Sequence, residues 1–342
     1  MKSFLHTPVS PITLDENSDV QKLVEGMGKT AFQGRNIATA TDIWRSMIKD
    51  ETTIFLGLAG AMVPAGMRML IASLIKNRLV DCIVSTGANL FHDCHETLGR
   101  LHWQGSPHID DLDLFEKGID RIYDVFALEK EFERTDNFVE KWVVELEQDR
   151  PYTTREFLYL LGEKLSKEGT EEGILTSAYK EGIPVYCPAI ADSSIGIAIA
   201  MGKQAKTNSL QLDTITDILE ITEIVSSSKS TGVIYIGGGV PKNFIQQAQV
   251  VARFLDNDRN DGHKYGIQIS TDAPHWGGLS GCTFKEAKSW GKIASEALCV
   301  SVYSDATLAF PLIASATFSS SNEILKDRKS PSFKMGRKLE VL

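Results

Sequence analysis

The segment Glu286-Ala287-Lys288-Ser289-Trp290-Gly291-Lys292 sets a lysine two residues after a tryptophan, with a glycine between them and a carboxylate six residues upstream. A lysine amine attacks carbonyl and imine carbons only after losing its proton. Its pKa in water is ~10.4, so desolvation or neighbouring cations must bring it into range. Trp290 can supply an apolar wall against the amine, and Gly291 lets the backbone pass close to a ligand. The plain alternative is a solvated lysine at the end of an amphipathic helix, where most lysines lie. A second cluster, Phe91-His92-Asp93-Cys94-His95-Glu96, puts His92 and His95 on one helix face. It matches neither H-E-x-x-H nor H-x-x-E-H, so no metal is expected there.

Gly57-Leu58-Ala59-Gly60-Ala61-Met62 follows an apolar run and precedes a helical pattern. Small residues at that position let backbone amides approach a dinucleotide phosphate, although the spacing is not G-x-G-x-x-G. A tight strand-to-helix turn is the alternative. The triple glycine Gly237–Gly239 reads equally as close packing or as a floor under a substrate. Asp192 and Asp305 suit either a ribose hydroxyl or a turn or helix cap.

Positioning these residues requires a scaffold. Apolar runs at Thr53–Leu58, Val80–Val84, Ile183–Cys187, Gly232–Ile236, Tyr265–Ile269 and Leu298–Val302 alternate with helical patterns, including Val20–Met27, Ile37–Ile48 (capped by Thr41 with Asp42) and Met67–Asn77. Continuous rather than alternating hydrophobicity fits parallel strands covered on both faces. The expectation is an α/β fold, a doubly wound, mainly parallel sheet with Rossmann-like topology. Ligands of such sheets bind beyond the carboxyl ends of the strands, with Lys292 brought in from a helix. The stretch after the second run, to Lys167, reads as mostly helical and charged.

The chain has 342 residues, 42% hydrophobic, enough for a large core, and a net charge of 36 − 45 = −9. That balance disfavours nucleic acid and suits a cationic partner. Five cysteines without a C-x-x-C pair read as reduced thiols in a cytoplasmic protein. Neither a signal peptide nor a membrane span is expected, since no run of ~20 apolar residues exists. Residues 1–18 read as an N-terminal arm, 19–318 as one domain, and 319–342 as a polar, basic C-terminal tail, mobile or packed on a neighbouring subunit.

Glu286–Lys292 resembles the catalytic segment of the deoxyhypusine synthase family, E-A-x-S-W-G-K, which carries an imine-forming lysine. The likeness runs from about Asp19 to Phe318 through Gly28-Lys29-Thr30-Ala31-Phe32-Gln33, Phe55-Leu56-Gly57, Gly237–Gly239 and Tyr303-Ser304-Asp305-Ala306-Thr307. The resemblance implies NAD on Gly60, Ala61, Met62, Val63, Pro64, Thr86, Gly87, Ala88, Asp192, Thr271, Asp272, Asp305 and Ala306. It implies a substrate pocket of Phe91, His92, Ile197, Gly238, Asn243, Gly277, Gly278, Leu279, Glu286 and Trp290. A homotetramer with sites shared across a dimer interface is implied as well.

Departures cluster in the polyamine pocket. Phe91 and His92 stand where the family has glutamates, Ile197 and Leu279 where it has aspartates, and Asn243 where it has a histidine. A buried ammonium without a carboxylate partner costs several kcal/mol, so spermidine in the usual register is disfavoured. This pattern resembles the bacterial deoxyhypusine synthase-like proteins. The implied chemistry moves an aminoalkyl group from a polyamine, through a Lys292 imine, to an acceptor amine, with NAD used and not consumed. In that scheme Trp290 stacks on the imine, Glu286 holds a distal ammonium, and His92, or Asn243 with a water, moves protons. The expected acceptor is a small amine. The alternatives are a lysine of translation initiation factor 5A and a non-catalytic NAD-binding relative.

Overall fold

The computed structural model describes residues 5–13, 16, 18–256 and 262–342. Six strands form its central sheet: β1 (Thr53–Leu58), β2 (Cys82–Ser85), β3 (Val185–Tyr186), β4 (Thr231–Ile236), β5 (His263–Ile269) and β6 (Ile293–Val302). Their order is β6-β5-β4-β1-β2-β3, and every pairing is parallel. This is the doubly wound dinucleotide-binding order, with its switch point between β1 and β4.

The continuous hydrophobicity of the strands has a direct cause. Ile54, Leu56 and Leu58 of β1 enter one core with Trp44, Ile71 and Phe310, while Phe55 enters a second core with Ile221, Ile245 and Phe284. Both faces of β1 are therefore buried, each large side chain contributing roughly 1.5–3 kcal/mol. Helices Phe32–Lys49, Arg68–Lys76 and Ala306–Asp327 supply the first core, and Thr214–Ser227 and Gly239–Leu255 the second.

The structure corrects several local expectations. Thr41 and Asp42 cap nothing: they lie inside the helix Phe32–Lys49, where the Thr41 hydroxyl donates back to the Ile37 carbonyl. The stretch read as mostly helical contains a three-stranded antiparallel sheet of Trp103–Gln104, Ile119–Ile122 and Val125–Leu128. Tyr123, at φ 55°, opens its two-residue hairpin turn, and the unusual backbone there is not announced by residue type.

The C-terminal tail was expected to be mobile or bound to a neighbour; in the described residues it packs on its own chain. The helix continues to Asp327, and a hairpin, Phe333–Met335 with Leu339–Val341, follows. Phe333 and Leu339 join the second core. The fully buried Arg155 pairs with Glu220 at 2.8 Å and donates to the Gly336 carbonyl at 2.8 Å. Glu220 in turn accepts from the Leu339 amide. Of the N-terminal arm, Ser10 donates to the Lys29 carbonyl, and residues 1–4, 14, 15 and 17 lie outside the described residues.

Removing one member of a buried pair strands the other charge, at roughly 3–5 kcal/mol. Arg155→Met is therefore expected to lower unfolding free energy by about that amount. It should also free residues 333–341 for proteolysis, read by chemical denaturation and limited digestion.

Candidate active site

Lys292 is placed by the end of a short helix, not by the helix itself. Phe284–Ser289 starts at Thr283, whose hydroxyl accepts from the Glu286 amide, and stops at Trp290. Gly291 then takes φ +67°, its amide donating to the Lys288 carbonyl while the Lys292 amide donates to the Ala287 carbonyl. These are the two closing bonds of a helix C-terminus that needs a left-handed residue. The close approach expected at Gly291 is to Arg253: a Cβ there would lie 2.0 Å from the guanidinium. The chain leaves this turn as β6, so Lys292 lies at the amino-terminal edge of the sheet, its carbonyl accepting from the His263 amide.

The Lys292 side chain turns inward and is 9% exposed. Its Nζ donates to Asn243 Oδ1 at 3.2 Å and stands 5.3 Å from the Trp290 ring centroid. Asn243 comes from the first turns of the helix that follows the triple glycine. Three expected site residues, Lys292, Trp290 and Asn243, thus meet within one chain. Glu286 lies on the exposed face of its helix.

Beside them is a residue sequence reasoning missed. Lys242 is 1% exposed and donates to Gln268 Oε1 at 2.9 Å and to the Cys282 carbonyl at 2.6 Å. Burial, partly offset by Cys282 and Glu286, lowers its pKa from 10.5 to about 8, and Lys292 and Asp272 also lie within its electrostatic reach. Gln268 further donates to the Gly237 and Ser280 carbonyls, and the Ser280 hydroxyl accepts from the Gly239 amide. The loop after β5 is thereby stitched to the loop after β4. A Cβ at Gly238 would lie 2.5 Å from Ser280, so this glycine is needed for packing between loops.

The residues expected to hold NAD all fall at the carboxyl edge. Gly60 (φ +71°), Ala61, Met62, Val63 and Pro64 follow β1; Thr86, Gly87 and Ala88 follow β2. Asp192 follows β3, Thr271 and Asp272 follow β5, and Asp305 and Ala306 follow β6. Buried Asn89 ties the first two loops: its Oδ1 accepts from the Val63 amide, and its Nδ2 donates to Thr86 Oγ1, which donates to the Gly60 carbonyl. Gly239, Gly277 and Gly278 have nothing within 4 Å of where a Cβ would stand. Bare backbone facing open space, at Gly239 beside the switch point and at Gly277 and Gly278 in the loop after β5, fits a dinucleotide. Asp305 caps the helix Ala306–Asp327 through the Thr307 amide, while Ser193, not Asp192, caps Ser194–Gln204.

The pocket residues divide. Ile197 (55% exposed) and Leu279 (37%) lie at the surface, as do Gly277 and Gly278. Phe91, expected at the substrate, is a core side chain packed on Phe132. His92 is 9% exposed and rides the helix Gly87–Thr97 after β2. Among the described residues no bond or ring contact joins it to Lys292, which stands across the switch point. Asp93 is structural, accepting from the Ile174 and Leu175 amides. Among the described residues no group of His, Cys, Asp and Glu is arranged to hold a metal ion.

Lys242 makes a pH prediction. Its folded pKa, about 8, lies below the unfolded value near 10.5, so between those limits the unfolded chain binds more protons. Stability should rise as pH climbs from 8 toward 10.5 and be lost as pH falls through 8. Lys242→Met should flatten that slope, as measured by denaturant unfolding across the window.

The family model for deoxyhypusine synthase matches residues 22–317. A Methanosarcina acetivorans protein named "Probable deoxyhypusine synthase 2" is 50% identical over 323 residues, covering 94% of this chain and 92% of its own. A "Deoxyhypusine synthase-like protein" from the bacterium Elusimicrobium minutum is 39% identical, covering 91% of this chain and 84% of its own. A solved structure from Entamoeba histolytica that carries the family name shares the fold, at TM-score 0.62 and 21% identity, covering 91% of this chain and 97% of that one. With the family match spanning residues 22–317 and a relative 50% identical over 94% of its length, the chain belongs to the deoxyhypusine synthase family.

Proposed function

We propose that this protein is an NAD-dependent transferase that carries an aminobutyl-type group from a polyamine donor, as an imine on Lys292, to an acceptor amine. The observation that carries this reading is the setting of Lys292. Its amine is buried against Trp290 and bonded to the neutral Asn243 amide, with no ion pair to a carboxylate among the described residues. A structural lysine is normally solvated or salt-bridged.

When bound, NAD would take up and return a hydride. Gly60 to Pro64, Thr86 to Ala88 and the loops after β3, β5 and β6 would hold it. The chain's own residues do the rest. Lys292 is the nucleophile, aimed by Asn243; it rises from the amino-terminal edge of the sheet, so it would face NAD held mainly by the carboxyl-edge loops of a neighbouring copy. The Trp290 ring shields the reacting nitrogen from water. Glu286 offers a carboxylate for a distal ammonium, and His92 exchanges the proton of the incoming amine.

The relatives' names support a protein lysine as acceptor, of the kind carried by translation initiation factor 5A. A small-amine acceptor, as in homospermidine-type chemistry, is supported by the pocket, where His92, Ile197, Asn243 and Leu279 replace the family's charged or histidine positions. A second copy of the chain is the natural cover for the site, in a homotetramer with sites shared across a dimer interface. Trp290 and Trp276 are 60% and 77% exposed, and Ile197 and Met201 lie open as well. We place the protein in the cytoplasm, consistent with five unpaired cysteines.

Incubation with NAD, labelled spermidine and either the factor or putrescine tests this. Lys292→Ala should abolish turnover and the borohydride-trapped adduct while NAD binding persists. An unchanged rate in that variant removes the imine mechanism. Label on the factor alone fixes the protein acceptor, and label on the diamine alone fixes the small one.

A further inference from the structure

His92 is one end of a buried row of polar groups. Its Nδ1 is 2.9 Å from His102 Nε2, His102 Nδ1 is 2.7 Å from Glu96 Oε1, and Glu96 Oε2 is 2.6 Å from Arg68 Nε. The row crosses three segments: the helix Gly87–Thr97, the strand edge at Trp103, and the helix Arg68–Lys76. Phe132 covers it, with ring centroids 5.4 Å from His92 and 6.3 Å from His102. Such a row has a direction. Glu96, paired with Arg68, only accepts, so His102 Nδ1 carries a hydrogen. A neutral His102 then offers a lone pair at Nε2, which His92 Nδ1–H fills. That leaves the lone pair of His92 at Nε2, an atom with no hydrogen bond among the described residues.

The geometry points to a proton relay in which His92 Nε2 takes a proton while its Nδ1 proton passes to His102 Nε2, leaving the charge beside Glu96. The inference rests on the proposed transfer reaction, in which the acceptor amine must shed a proton before its lone pair attacks. The balance is one N–H bond formed at His92 Nε2 and one broken at the incoming ammonium. A second N–H bond breaks at His92 Nδ1 and reforms on His102 Nε2, with no change of oxidation state. His92 is the catalytic group; His102 and Glu96 are positioning residues that act through it.

The surroundings explain why a second histidine is needed. Burial, then His102 and His95, holds the His92 pKa near 3, so a lone His92 would not keep the proton. His102 has an anion against its far nitrogen. The other charged or titratable groups packed here are His95, Asp93 and Arg100, with Glu131 and Arg134 beside Arg100. His95 is already bonded to Thr135 and the Leu101 carbonyl.

His102→Gln keeps a hydrogen-bonding side chain and removes the titrating ring. It should lower kcat by roughly 10²–10⁴-fold, the usual worth of general acid–base catalysis, with KM little changed and the ascending limb of the pH–rate profile gone. Wild-type kcat and pH profile in this variant overturn the relay. Should the variant not fold, histidine-selective ¹⁵N NMR of the wild-type protein decides, using His92→Gln for assignment. The relay requires hydrogen on Nδ1 of both neutral rings and, on acidification, the added proton on His102 with His92 still neutral. A His92 that carries its hydrogen on Nε2 while His102 is neutral, or that charges first, overturns it. The required NMR pattern in a protein that turns over no amine would overturn the transferase reading and the relay with it, leaving only the order of the hydrogen bonds, whereas turnover without that pattern would overturn the relay alone.

Discussion

Everything at the site depends on how closely β1 can lie against β4. At Gly57 a Cβ would press on the Tyr235 ring at 2.9 Å, and at Gly237 one would stand 3.2 Å from Ala59. At both positions a side chain of the neighbouring strand or loop already fills the space that a Cβ would need. Because connections leave β1 toward β2 and β4 toward β5, the loops diverge there and open a crevice lined by peptide groups. The glycines serve two different needs: some allow left-handed turns, and others leave no side chain where loops must touch.

A second constraint governs the buried lysines. Lysine is long and its amine is strongly hydrated, so burying it requires the backbone to aim it and a polar group to receive it. The helix terminus at Trp290–Gly291 does the aiming, and Asn243, brought from another element, does the receiving. Lys242 is received in the same way, by the Gln268 amide and the Cys282 carbonyl. Both buried amines are thus held by neutral oxygens.

His92 arrives with His102, Glu96 and Arg68 behind it, so the carboxylate of this row lies beyond two imidazole rings. Such a row can handle a proton where a lone carboxylate would hold an ammonium. Phe91, its neighbour along the chain, is a core side chain.

Much of this was legible along the chain. Strands buried on both faces must be apolar throughout, so β1 to β5 stood out; of the edge strand β6, exposed or half-exposed over 294–299, only the apolar end Leu298–Val302 did. The lysine segment announced itself by residue type. The loops expected to hold NAD fall together because every parallel strand delivers its carboxyl end to the same edge. What stayed hidden depends on distance in sequence. Nothing near Lys292 names Asn243, forty-nine residues away, as its partner. Lys242 looks like any surface lysine until helix and loop close over it. The C-terminal segment is polar in composition, and Arg155 and Glu220, with the core burial of Phe333 and Leu339, make it part of the fold. Local periodicity records which side of an element is buried; which buried groups meet is decided by the packing of elements that the sequence keeps far apart.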